Sequence, residues 1–126
     1  MRRGDIRLVN FEPALGNEVH KVRPAIIVSN DAANSMAETL GRGVITVIPV
    51  TSKSERVLPF QVLLSATKTG LPKDSKAQVE QIRSISYERF GRKVGSVPYE
   101  VMALPPLDDG YPKLFQASLL QRMGFP

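Results

Sequence analysis

The side chains able to do acid–base, nucleophilic or metal chemistry are unevenly represented in this sequence. It contains 17 Lys and Arg and 12 Asp and Glu, but a single histidine, His20, and no cysteine. It has no HExxH pattern, no closely spaced Asp/His set and no Gly-rich phosphate loop, so we expect no divalent-metal site and no nucleotide-binding loop. One histidine also excludes a ribonuclease mechanism that needs two within one chain. After these exclusions, the side chains that could still carry out catalysis are those of Arg, Glu, Thr and Ser.

Metal-free cleavage of RNA is a reaction that these residue types can support. The RNA supplies its own nucleophile, the 2′-hydroxyl, and the protein must supply a base, positive charge for the phosphorane and a donor for the leaving oxygen. The net charge is +5. Residues 1–93 carry 15 Lys and Arg against 9 Asp and Glu, whereas residues 94–126 carry 2 against 3. A basic surface of this kind suits nucleic acid, although charge alone leaves an ordinary basic protein as an equal alternative.

These residues must be positioned by short β-rich elements. Runs of Val, Ile and Leu alternate with Gly, Pro, Asn and Asp clusters over residues 5–86, which is typical of a small barrel or sandwich. We predict strands at residues 6–11, 25–29, 44–51 and 60–64. Residues 12–22 predict an exposed loop, and residues 30–40 a helix capped by Asn30 or Asp31 and ended at Gly41. Residues 77–85 fit the helix and strand periods equally well.

The length of 126 residues predicts a single domain over residues 1–126. Its barrel core should cover about residues 3–90, followed by a Pro-rich segment over 96–126 with a terminal helical stretch at 113–123. The longest apolar runs, residues 24–28 and 44–50, are far shorter than the roughly 20 residues of a membrane-spanning helix. The N-terminus lacks the apolar stretch of a signal peptide, and the absence of cysteine is compatible with a reducing cytosol. We therefore expect a cytoplasmic protein without a membrane partner.

Five ordered motifs resemble the MazF/PemK family. They are RGDI at residues 3–6, GNEVHKVRPAIIVSN at 16–30, IPVTS at 48–52, PFQV at 59–62 and EQIRSI at 80–85. The resemblance implies a mainly β, SH3-like barrel of the CcdB/Kid type with one or two short helices, working as a homodimer without a cofactor or metal. It further implies cleavage of single-stranded mRNA at short sequences, leaving a 2′,3′-cyclic phosphate and a 5′-hydroxyl, and neutralisation by a cognate MazE-like antitoxin.

Carried over residue by residue, the catalytic arginine of the family falls on Arg23, its threonine on Thr51 and its loop acid on Glu18. An Arg fork can bind the phosphorane oxygens in a bidentate manner, Thr51 can donate to a phosphoryl oxygen, and Glu18 can accept the 2′-proton or orient Arg23. Glu80 is a rival acid, because some members of the wider family carry an Asp just before this Gln. Each residue also has a structural interpretation, such as an ordinary surface cation for Arg23 or a turn-stabilising hydroxyl for Thr51.

Further residues are candidates for RNA contact, with a structural role as the alternative for each. Phe11 is the best candidate for stacking on a base, although it could equally belong to the core. The candidates for RNA binding are Asn10, Phe11, His20, Lys21, Ser29, Ser52, Lys53, Glu80, Gln81 and Arg83.

Two other functions stay open. A gyrase poison like CcdB shares the fold, but its activity depends on a C-terminal Trp-Gly-Ile, and this chain has no tryptophan and ends in Met-Gly-Phe-Pro. A non-catalytic RNA-binding module would bind RNA without cleaving it. The tail also departs from the family pattern, because Pro105, Pro106, Gly110 and Pro112 interrupt the usual leucine-rich last helix.

Overall fold

The computed structural model describes residues 1–11, 22–59 and 61–102, which form a curled antiparallel sheet with short helices. The strands are β1 (Asp5–Asn10), β2 (Val22–Ile27), β3 (Val44–Thr51), β4 (Val62–Leu64), β5 (Ser75–Ala77), β6 (Arg83–Ser86) and β7 (Phe90–Ser96). The helices are α1 (Asp31–Leu40), α2 (Ala66–Thr69) and α3 (Tyr99–Met102), with single 3-10 turns at Val79–Gln81 and Tyr87–Arg89. The predicted mainly β class with few helices is confirmed.

β3 is the central strand of the sheet, whose order is β4-β5-β3-β2-β1-β7. Its residues 47–49 pair with β2, and its last two residues pair with β5 on the edge away from β2. Its first four residues pair with β6. One eight-residue strand therefore holds three neighbours in register, with β2 on one edge of its C-terminal half and β5 on the other.

Side chains on the two faces of the sheet build two separate cores, as the alternation of a pleated strand requires. The first cluster includes Ile6, Ile26, Ile48, Val50, Leu64 and Leu71. The second cluster is Val9, Ala25, Ile27, Ala37, Ile45, Val47 and Ile85. Along β2 and β3, neighbouring residues fall in different clusters, so the face of any strand residue can be read from its position.

Helix α1 follows the predicted boundaries closely. The Asn30 side chain accepts a hydrogen bond of 2.8 Å from the Ala33 backbone N–H, and Gly41 ends the helix at φ 67°, a left-handed conformation that glycine adopts readily. The Arg3 backbone N–H donates to the Asp31 carboxylate at 2.7 Å and holds the pKa of Asp31 below its ordinary value of 3.8. The N-terminal segment is thereby attached to the first turn of α1.

The structure differs from the predictions where the sequence was ambiguous. Residues 77–85 are neither one helix nor one strand, because the Gln78 N–H donates to the Pro49 carbonyl at 2.9 Å and a 3-10 turn then separates β5 from β6. The polar strand β7 was not predicted at all. The predicted loop at 12–22 lies outside the described residues except for Val22, which begins β2, and the predicted terminal stretch at 113–123 lies wholly outside them.

Candidate active site

Arg23 and Thr51 lie where the ladder between β2 and β3 opens. The last paired residues are Ala25 and Pro49; beyond them β2 continues through Arg23 to Val22, and β3 continues to Thr51. Pro24 and Pro49 lack the backbone N–H that a ladder needs, and the Pro49 carbonyl is already bonded to the Gln78 N–H. Among the described residues the β2–β3 ladder does not continue past this pair, and the two predicted catalytic side chains border this end of it.

Strand alternation places both side chains on the face of the second cluster. Arg23 shares the face of Ala25 and pairs in register with Val9, and both of those residues belong to that cluster. Thr51 shares the face of Val47 by the same spacing. A guanidinium and a hydroxyl on one face at one strand end are what binding and polarising a phosphodiester require.

Arg83 and Phe11 extend the same face. Arg83 pairs with Val47, and its guanidinium lies 5.1 Å from the centre of the Phe11 ring, which is half-buried against the second cluster. This distance is within the range of a cation–π contact. The Gln81 side-chain oxygen accepts from Arg83 at 3.5 Å, the outer limit of a hydrogen bond. The structure thus brings three predicted RNA contacts together, with the Phe11 ring partly covered by Arg83.

The hydroxyl of Thr51 is oriented by its own turn. The Lys53 backbone N–H donates to Thr51 Oγ1 at 3.2 Å, and because the oxygen serves as acceptor, the hydroxyl proton stays available for a ligand. Ser52 and Lys53 are exposed in this turn. On the other side, Lys76 of β5 is the direct cross-strand partner of Thr51. Lys76 was not among the sequence candidates, since nothing local marks a lysine 25 residues further along the chain.

The acid candidate Glu80 is engaged within the fold. Its Oε2 accepts a 2.9 Å hydrogen bond from the Gln61 side chain, and Gln61 Oε1 accepts in turn from the Leu58 N–H at 3.0 Å. Glu80 Oε1 is buried and has no hydrogen-bond partner in the part of the chain that the structure describes. Gln61 is itself only 8% exposed. Glu80 therefore connects the 3-10 turn before β6 to the segment that follows β3.

Other predicted contacts are more scattered. Ser29 follows the C-terminal end of β2, whereas Arg23 lies at its N-terminal end. The Ser29 hydroxyl donates to Asn34 Oδ1 at 2.5 Å and anchors α1. Asn10 is the last residue of β1 and pairs with Val22, the neighbour of Arg23. Ser52 lines a cavity of about 270 Å³ together with Pro24, Leu71 and Lys73. Three candidates, Glu18, His20 and Lys21, lie outside the described residues.

The cations at the site form no ion pair with a described carboxylate. Within residues 1–11, 22–59 and 61–102, the ion pairs are those of the N-terminal amine with Glu38 and of Lys93 with Asp5, and neither involves Arg23, Lys53 or Arg83. The same ranges contain no group of three or more His, Asp or Glu able to hold a metal ion. No helix among them is long and apolar enough to cross a membrane.

Comparison with known proteins identifies the family of this chain. Residues 2–104 match the family model for the PemK-like, MazF-like toxin of type II toxin–antitoxin systems. The endoribonuclease MazF9 of Mycobacterium tuberculosis is 62% identical over 97 residues, covering 77% of this chain and 82% of the relative. The endoribonuclease EndoA of Bacillus subtilis is 30% identical over 103 residues, covering 81% and 84%.

Solved structures give the same fold. A crystal structure of MazF from Deinococcus radiodurans superposes with a TM-score of 0.68 at 23% identity, covering 98% of this chain and 96% of that one. A MazE–MazF complex from the same organism has the same score and identity, with coverage of 100% and 97%. The predicted barrel class is therefore confirmed, and the chain belongs to the PemK-like, MazF-like family of toxins of type II toxin–antitoxin systems.

Proposed function

We propose that this chain is a cytoplasmic toxin that cleaves single-stranded mRNA at short sequences without a metal, and that a cognate antitoxin neutralises it. The predicted class of enzyme, an endoribonuclease, is confirmed by the relatives of 62% and 30% identity. The observation that carries the finer proposal is the placement of Arg23 and Thr51 on one face, just beyond the last pair of the β2–β3 ladder.

In the proposed reaction the RNA 2′-oxygen attacks the adjacent phosphorus and the bond to the 5′-oxygen breaks. The products are a 2′,3′-cyclic phosphate and a 5′-hydroxyl. Arg23 binds the non-bridging oxygens and stabilises the charge that grows on them, since its planar fork matches two phosphoryl oxygens. Thr51 donates a hydrogen bond from its hydroxyl to one of these oxygens or to the leaving oxygen, and the leaving 5′-oxygen takes its proton from water. Removal of one such donor costs about 10²–10³ in kcat in other enzymes that stabilise an oxyanion.

The base that accepts the 2′-proton is proposed to be Glu18. Glu80 is the weaker candidate, because one of its oxygens is bonded to Gln61 and the other is buried. A base must reach the proton it abstracts by hydrogen-bond contact. We therefore expect Glu80→Gln to keep the acidic limb of the pH–rate profile, which reports the base, and Glu18→Gln to abolish it. The reverse result would assign the base to Glu80.

The proposed partners follow from the same surface. Arg23, Lys53 and Arg83 form no ion pair with any described residue, so an antitoxin that offers carboxylates and apolar side chains, folding as it binds, would complement them. The MazE–MazF complex among the structural relatives supports this proposal. A homodimer is also proposed. An upstream partner that suppressed cleavage without protecting this face in hydrogen exchange would argue against the antitoxin site.

The first experiment is cleavage of a long single-stranded RNA by purified protein in excess EDTA, with the new ends mapped by primer extension. We expect discrete EDTA-resistant cuts for the wild type and a loss of about 10²-fold or more in Arg23→Lys, since a lysine cannot bind two oxygens as a fork. Arg92→Lys is the matched control, because Arg92 is exposed on β7, two strands away from β2. Intact RNA at micromolar wild-type protein would overturn the proposed activity.

A further inference from the structure

Lys76 is a cation placed by the fold beside the Thr51 hydroxyl. The two residues are direct partners in the β3–β5 ladder. Their neighbours Val50 and Ala77 also pair, and both belong to the first cluster, so Thr51 and Lys76 share the opposite face. Cross-strand partners on one face have Cβ atoms about 4.5–5.5 Å apart. A lysine side chain at this position is long enough to contact a ligand that also contacts Thr51.

Among the described residues, the Lys76 ammonium makes one hydrogen bond. Its Nζ donates to the Arg56 backbone carbonyl at 2.6 Å. This hydrogen bond links β5 to the segment that follows β3. An ammonium has three donors and no acceptor, so two donors stay available. No carboxylate among the described residues forms an ion pair with Lys76. The side chain is half-buried, which restricts its motion without removing it from solvent.

We infer that Lys76 binds a phosphodiester of the RNA strand next to the scissile one, forming a phosphate subsite with the Thr51 turn. This inference rests on the proposed function. A fixed ammonium with its charge uncompensated is suited to a phosphate as a point charge, and neutralising a phosphate releases counterions. Lys76 therefore contributes to RNA affinity rather than to the chemical step, and its contribution depends on salt.

The test measures binding of an uncleavable oligoribonucleotide, with a 2′-deoxynucleotide at the mapped cut position, as a function of salt. Each phosphate neutralised on a single strand contributes about −0.7 to the slope of log affinity against log salt. We expect the slope of Lys76→Met to be about 0.7 less negative than that of the wild type. Between 50 and 200 mM salt, this makes the wild type lose between two- and threefold more affinity than the variant. Lys76→Arg should restore the wild-type slope.

Lys68→Met is the control, because Lys68 is exposed on α2, which packs against β7. If Lys76→Met keeps the wild-type slope while the wild type cleaves RNA, Lys76 only supports the loop through Arg56, and the inference is wrong while the proposed function stands. If the wild type neither binds nor cleaves the RNA, both fail together. Equal unfolding midpoints of Lys76→Met and Lys76→Arg exclude misfolding as the cause of a changed slope.

Discussion

Replacing Gln61 with alanine should destabilise the protein by about 2–4 kcal/mol. The Gln61 side chain is nearly buried, donates to the Glu80 carboxylate at 2.9 Å and accepts from the Leu58 N–H at 3.0 Å. A hydrogen bond to a charged group contributes about 1.5–3 kcal/mol, and a neutral one about 1 kcal/mol. The lower end of the range applies if water replaces the bond to Leu58.

A double-mutant cycle isolates the contact between Gln61 and Glu80. Each single alanine variant leaves the other side chain buried without its partner, so the double variant should be less destabilised than the sum of the two. The expected coupling free energy is about 1.5–3 kcal/mol, measured by urea unfolding at constant m-value.

Gln78 provides the matched control for this cycle. It is the same residue type as Gln61 and lies two residues from Glu80, but its Oε1 is buried without a hydrogen-bond partner among the described residues. The coupling of Gln78→Ala with Glu80→Ala should therefore be close to zero. A Gln61–Glu80 coupling below about 0.5 kcal/mol would refute the structural role given to Glu80.

Two further predictions concern the stability of the fold, at Gly95 in β7 and at Asp31 in the first turn of α1. Gly95→Ala should destabilise the protein by about 1–3 kcal/mol in urea unfolding, because its Cβ would lie 2.5 Å from the Thr69 carbonyl oxygen. Gly91→Ala, whose Cβ has ordinary contacts, should cost much less, and equal losses would argue against the clash. Asp31 has a lowered pKa, so its stabilising contribution is present above pH 3.8 and is lost as pH falls through the lowered value. Asp31→Asn should thus be less stable than the wild type at pH 7, with the difference shrinking as pH falls below 3.8, and a difference that stayed constant over that fall would contradict this.

The elements with strong local signals could be predicted from the sequence. The Asn30 cap and Gly41 fix the ends of α1, and the run of β-branched residues in Val44–Thr51 gives β3 its bounds. Strand β7 was missed because its residues are mostly polar and exposed. Among the described strands it pairs with β1 alone, at the edge of the sheet, where apolar alternation is not required.

The candidate site shows the same division between local and long-range information. The motifs identified Arg23 and Thr51, but their common position at an opening ladder depends on the pairing of Ala25 with Pro49. The role of Glu80 depends on Gln61, which lies 19 residues away in sequence. The proximity of Lys76 to Thr51 depends on the β3–β5 register. Contacts of this kind are set by tertiary pairing and leave no pattern in a local stretch of sequence.

The most direct test of the central claim is cleavage, in excess EDTA, of an oligoribonucleotide in which only the nucleotide 5′ to the mapped cut carries 2′-deoxyribose. Attack by the RNA's own 2′-oxygen predicts that this substrate is bound but not cut, while the all-ribose oligonucleotide yields a 2′,3′-cyclic phosphate and a 5′-hydroxyl. Cleavage of the deoxy-substituted strand at the same position would contradict the mechanism assigned to Arg23 and Thr51, because the nucleophile would then come from elsewhere.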